Sequence, residues 1–196
     1  MKSFIGFYNK SVYMTYLGVC FSVIGIYLCV IGQLNYAMMA LVLAGVCDMF
    51  DGMIARKVKR TAQEMEFGIQ IDSLADVVNF LALPAAYFVS NEYFEAGYLI
   101  FLIIYVVAGV VRLAYFNVVT SKDTGPNKAY SGLPVTSAAI IIPVAHIFLN
   151  SVLVLYVYLL MGILFVLNFK VKKPGTKLCV ATVIIAVILC AYLVMV

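Results

Sequence analysis

This chain has no tryptophan, a single histidine (His146) and only 11% charged residues. A soluble domain carries roughly 25% charge, so a free globular domain and a charged disordered chain are both excluded. A binder of nucleic-acid polymers is excluded too, because it needs a dense basic surface. One histidine cannot build a histidine metal cluster. The five cysteines, Cys20, Cys29, Cys47, Cys179 and Cys190, stand singly in apolar runs with no CxxC pair. Neither a zinc site nor a disulfide framework is therefore encoded, and they read as small buried thiols. No internal repeat or low-complexity tract is present, and one domain over residues 1–196 is expected.

What is abundant is apolar surface. Hydrophobic residues make up 65% of the chain and mean hydropathy is +1.09. The expected fold class is all-α: a polytopic helical membrane protein of six to eight spans behind an N-terminal amphipathic segment at about 2–11. Spans need roughly 17–25 residues. The runs fall near 12–32, 35–58, 65–89, 94–118, 133–149, 151–169 and 178–196. Lys2 and Lys10 precede an apolar run that reaches Ile31 without an A-x-A-like site, which favours a retained first span over a cleaved signal.

The basic residues set the orientation. All 13 lysines and arginines fall on one side of this arrangement, whereas the opposite loops carry only Glu92 and Glu95. By the positive-inside rule the basic side is cytoplasmic, which makes this a multi-pass protein of the cell membrane. The single histidine lies within a span and reads as a hydrogen-bonded interior residue. The 14 tyrosines and 13 phenylalanines suit interfacial belts and packing.

Two stretches break the apolar pattern: CDMFDGMIARK from Cys47 and FGIQIDSLADVVNF from Phe67. Charged groups at membrane depth are costly and mark functional sites. At about 100° per residue, Asp48, Asp51, Gly52 and Ala55 share one helix face, with Arg56 at its edge. Gly68, Asp72, Asp76 and Asn79 share a face of the next helix. Two such helices facing each other would converge four carboxylates, which are hard ligands suited to Mg²⁺, Mn²⁺ or Ca²⁺. The cluster would lie at the cytoplasmic membrane surface. Thr61 to Glu64 has the form of a capping box that starts the second acidic helix.

The order D-x-x-D-G-x-x-A-R followed by G-x-x-x-D-x-x-x-D resembles the signature of the CDP-alcohol phosphotransferases, through Asp48, Asp51, Gly52, Ala55, Arg56, Gly68, Asp72 and Asp76. Eleven residues separate Arg56 from Gly68, about three more than is common in the family, and they fall in a turn where lengthening costs little. FGIQIDSLADVVNFLALPAAY, RLAYFNV and YSGLPVTSAA are similar to segments of the serine-using branch of that family in bacteria and archaea. The resemblance implies transfer of the phosphatidyl group of CDP-diacylglycerol to L-serine, by a homodimer in the lipid bilayer.

It also implies two divalent cations, Mg²⁺ or Mn²⁺: one held by Asp48, Asp51 and Asp72, the other by Asp48, Asp72 and Asp76. Asp76 would be the general base. Asp51, Gly52, Arg56, Thr61 and Gly68 would bind the nucleotide-lipid. Arg112 and Lys128 are the spare cations for the serine carboxylate, and Asn79, Asn117 and Ser131 could add neutral hydrogen bonds. Two alternatives stand beside this reading. One is a sister transferase using inositol phosphate, glycerol phosphate or choline. The other is a cation transporter, which would spread its acids along a path through the membrane.

Overall fold

The computed structural model describes residues 5–8, 12–55, 57–122, 130–171 and 176–195. Its helices are α1 (Tyr13–Val30), α2 (Leu34–Ala55), α3 (Ala62–Val77), α4 (Leu83–Val89), α5 (Leu99–Lys122), α6 (Ala138–Phe148), α7 (Ser151–Val166) and α8 (Thr176–Met195). A wider π-helical turn, Val78–Ala82, joins α3 to α4, so Ala62–Val89 crosses as one rod. Among the described residues, four helices are long and apolar enough to span a bilayer, and three shorter apolar ones follow at 135–148, 151–166 and 181–195. These seven segments follow the expected spans in order, and the fold is a polytopic helical membrane protein. Of the expected amphipathic lead-in only 5–8 lies among the described residues, and those four form no helix.

The bundle is organised around α2, which packs on α1, α6 and α8, while α5 packs on α7. Small side chains allow the close approach of α1. Its buried residues, Thr15, Gly18, Ser22, Gly25 and Cys29, form one stripe at helical spacing. Close approach between α5 and the π turn likewise needs Gly109, where an added β-carbon would collide with the Leu81 side chain.

The aromatic residues do more than line the interfaces. Tyr87, Tyr105, Tyr158, Phe80 and Phe88 are fully buried. Pro84 has no N–H to offer the carbonyl of Phe80 four residues back, and the Tyr105 hydroxyl donates to that carbonyl instead. Tyr158 donates to the carbonyl of Pro84 at 2.8 Å. Buried carbonyls without donors are costly, so the Tyr105 hydroxyl offsets the bond that the proline removes, and the Tyr158 bond anchors α7 to α4.

His146 is an interior, hydrogen-bonded residue near the end of α6. Its Nε2 is 2.7 Å from Asn35 Oδ1 and its Nδ1 2.8 Å from the Tyr87 hydroxyl. An amide oxygen only accepts, so Nε2 donates and Nδ1 receives the Tyr87 proton.

At the basic end, Tyr130–Ser131 (β1) pairs antiparallel with Lys170–Val171 (β2). This two-residue bridge ties the segment before α6 to the one after α7. Gly132 follows with φ of +74°, and a β-carbon there would press on the carbonyls of Phe165 and Leu167 at 2.9 and 3.0 Å. Glycine alone meets both conditions easily.

Candidate functional site

The capping box forms as expected. The Thr61 side chain accepts from Glu64 N–H, and the Glu64 carboxylate accepts from Thr61 N–H at 2.8 Å. This starts α3 at the basic end, where α2 finishes. The acidic faces then meet. One carboxylate oxygen from each of Asp48, Asp72 and Asp76 lies within 4.8 Å of the others. These three belong to two helices and share one centre, rather than lying along a path through the bundle.

Asp51 stands beside this trio and is buried at 6% exposure. Its Oδ2 accepts a 2.8 Å hydrogen bond from Thr15 Oγ1, reaching across from α1. Asp51 also adjoins Asp72 side chain to side chain. The sequence reading missed Thr15. The signal was the buried small and polar stripe of α1, in which Thr15 is the residue level with Asp51.

The trio fits a divalent ion. Oδ1 of Asp76 is buried and has no hydrogen-bond partner among the described residues. Crowded carboxylates with an unsatisfied buried oxygen are costly, and a hard cation with oxygen ligands satisfies such a set. Asp48, Asp72 and Asp76 are the residues that would hold it.

Gly52 and Gly68 lie one turn outside Asp48 and Asp72, toward the basic end. Among the described residues a β-carbon on Gly52 would meet nothing within 4 Å, which leaves that face of α2 open to a ligand. A β-carbon on Gly68 would meet only Arg60. Thr61, expected to touch the nucleotide, has its hydroxyl engaged with Glu64. Arg56 and Lys128 lie outside the described residues. Ser131 is in β1, held by pairing with Lys170.

The residues assigned to the acceptor separate into two groups. Asn79 is 2% exposed and accepts from Ser22 at 2.7 Å, so it fastens the π turn to α1. Asn117 exchanges hydrogen bonds with Ser73, the neighbour of Asp72, at 2.8 and 3.1 Å. That pair fixes the antiparallel register of α5 on α3, and the contact of Gly109 with Leu81 continues it.

The same register sets the position of Arg112, beyond which α5 continues ten residues, to Lys122. Arg112 lies five residues deeper than Asn117, level with Val78 and close to the level of Asp76. It is 7% exposed, and its guanidinium is 5.9 Å from the ring centre of Phe116.

A membrane-embedded helical bundle that gathers carboxylates at its basic end is the architecture of an integral-membrane protein with an acidic cluster suited to a divalent cation. The sequence profile of the CDP-alcohol phosphatidyltransferases matches residues 9–172, and the chain belongs to that family. It is similar to a CDP-diacylglycerol–serine O-phosphatidyltransferase of Methanocaldococcus jannaschii, with 32% identity over 146 residues, 74% of this chain and 67% of that one. An archaetidylserine synthase of Methanothermobacter thermautotrophicus is 36% identical over 121 residues, 61% of this chain and 49% of the relative. A CDP-diacylglycerol–serine O-phosphatidyltransferase of Helicobacter pylori strain 26695 is 31% identical over 155 residues, covering 71% and 63%. The matches thus span between half and two thirds of these relatives' lengths.

Proposed function

We propose that this protein transfers the phosphatidyl group of CDP-diacylglycerol to the hydroxyl of L-serine, releasing CMP and phosphatidylserine. The observation that carries the reading is the convergence of Asp48, Asp72 and Asp76, in the family's motif order, at one centre. The serine oxygen forms a bond to the lipid-side phosphorus, the phosphoanhydride bond to CMP breaks, and the hydroxyl proton passes to Asp76. Divalent ions, Mg²⁺ or Mn²⁺, supply charge neutralisation and orientation of the pyrophosphate when bound. Two are implied, with Asp51 completing the second set.

Gly52 leaves room for the nucleotide against α2, and the acyl chains remain in the bilayer. Arg112, near the level of Asp76, is the candidate partner of the serine carboxylate, which its planar fork can grip with two hydrogen bonds. The site faces the cytoplasm, on the strength of the one-sided lysines and arginines. The functional unit is a homodimer, which crosslinking in membranes would register.

The test is an assay of purified protein in mixed micelles with CDP-diacylglycerol and a panel of L-serine, inositol phosphate, glycerol phosphate and choline, read by mass spectrometry. Phosphatidylserine and equimolar CMP are expected with serine. CMP release with another acceptor and none with serine would refute the assignment.

A further inference from the structure

Arg60 closes the lengthened turn between the two acidic helices. By sequence it reads as part of a basic topology signal. In the structure its guanidinium lies against α3: a β-carbon built on Gly68 would stand 3.2 Å from Arg60 Nη1 and, among the described residues, would meet no other atom within 4 Å. Gly68, Asp72 and Asp76 share one face of that helix. The guanidinium is therefore about 6 Å along the axis from Asp72, one turn outside the cluster. Its backbone is held in place, because Arg60 immediately precedes the N-cap Thr61, which the Glu64 capping box fixes.

At the same height on α2 is Gly52, where an added β-carbon would meet none of the described residues within 4 Å. The rim of the site thus sets an open glycine on one helix beside a cation held on the other. A ligand reaching the carboxylates from the basic end passes between them. On the proposed function, on which this inference rests, that ligand carries a pyrophosphate toward four carboxylates. A cation one turn outside the cluster offsets the repulsion that a polyanion meets there. The guanidinium fork also matches phosphate oxygens in pairs. Gly68 then has a second reason to lack a side chain, since any β-carbon would crowd the guanidinium.

We infer that Arg60 is a substrate-binding residue that grips the pyrophosphate of the nucleotide-lipid at the rim of the site. The experiment compares wild type, Arg60→Gln and Arg60→Lys by equilibrium binding of CDP-diacylglycerol in micelles without serine. Competition by CDP, CMP and cytidine is measured alongside, with a thermal melt of each protein. Loss of a charge-assisted contact predicts about tenfold weaker binding of CDP-diacylglycerol and CDP to Arg60→Gln. The loss for CMP should be smaller, cytidine should be unaffected, recovery in Arg60→Lys should be partial, and the melts should coincide.

Unchanged CDP affinity in Arg60→Gln would overturn the inference. So would an equal loss for cytidine and CDP, which would assign Arg60 to the base or to folding. A wild-type protein that fails to bind CDP-diacylglycerol would instead remove the transferase reading, and the inference with it.

Discussion

The bond from Thr15 to Asp51 links a helix outside the acidic pair to the carboxylate cluster, and its removal is a clean perturbation. Both side chains are buried, and the bond is 2.8 Å long. Thr15→Val keeps the shape and deletes the donor, leaving a buried carboxylate oxygen unpaired. A hydrogen bond to a charged group contributes roughly 1.5–3 kcal/mol, which at 1.4 kcal/mol per decade is about 10- to 100-fold in affinity. The loss should appear in metal binding, because Asp51 is then no longer pinned in its place beside Asp72. Mn²⁺ binding to the purified protein, followed by the paramagnetic resonance of free Mn²⁺, should weaken at least about tenfold. The Mn²⁺ concentration for half-maximal CMP release should rise in step. Thr15→Ser, which restores the hydroxyl, should recover most of both. Mn²⁺ affinity equal to wild type in Thr15→Val would refute the argument, and a drop shared equally by the serine variant would show that packing, not the hydroxyl, matters.

Asp48→Asn or Asp72→Asn should abolish CMP release, and EDTA should stop the wild type until Mg²⁺ or Mn²⁺ is returned; turnover in metal-free buffer would refute a metal-dependent reaction. Asp76→Asn should still bind CDP-diacylglycerol yet release no CMP, and near wild-type turnover would remove Asp76 as the base. Arg112→Lys should raise the serine KM about 10- to 100-fold, the range of one lost charge-assisted contact, and leave the CDP-diacylglycerol KM unchanged; a rise confined to the lipid would reassign Arg112 to phosphate. Gly109→Ala should destabilise the bundle by about 1–3 kcal/mol through overpacking against Leu81, read as a lower unfolding midpoint in detergent with the metal affinity of the folded protein unchanged.

Hydropathy and charge spacing made the helices and the acidic faces legible. Apolar runs set the spans, and the 3.6-residue period put Asp48 beside Asp72 and Asp76. The length of α5 was not legible, because polarity marks where a helix leaves the bilayer while backbone hydrogen bonding carries α5 on to Lys122. Thr15 looked like filler in an apolar helix, since the hydroxyl that matters to Asp51 is defined only once α1 is docked. The residues proposed for serine from polarity alone divided by packing: Asn79 and Asn117 are engaged in joining helices. The pairing of Tyr130–Ser131 with Lys170–Val171 joins segments 40 residues apart, and no local pattern in either foretells it.

The wide turn at Val78–Ala82 separates the rotational phase of two half-helices. In an unbroken α-helix, the angle at which Asp72 and Asp76 face α2 would dictate which side Pro84, Tyr87 and Phe88 present two turns further on. The extra residue removes that dictation, so the upper half is oriented by its carboxylates and the lower half by its aromatic neighbours. A residue deleted within Val78–Ala82 would relax the wide turn to ordinary helix over the same number of turns, so the half beyond it would keep its facing and the ligand oxygens their place. A residue deleted between Gly68 and Asp76 would turn carboxylates away from one another. Length is therefore constrained more tightly above the joint than within it, and the carboxylate cluster is insulated from drift in the core beneath.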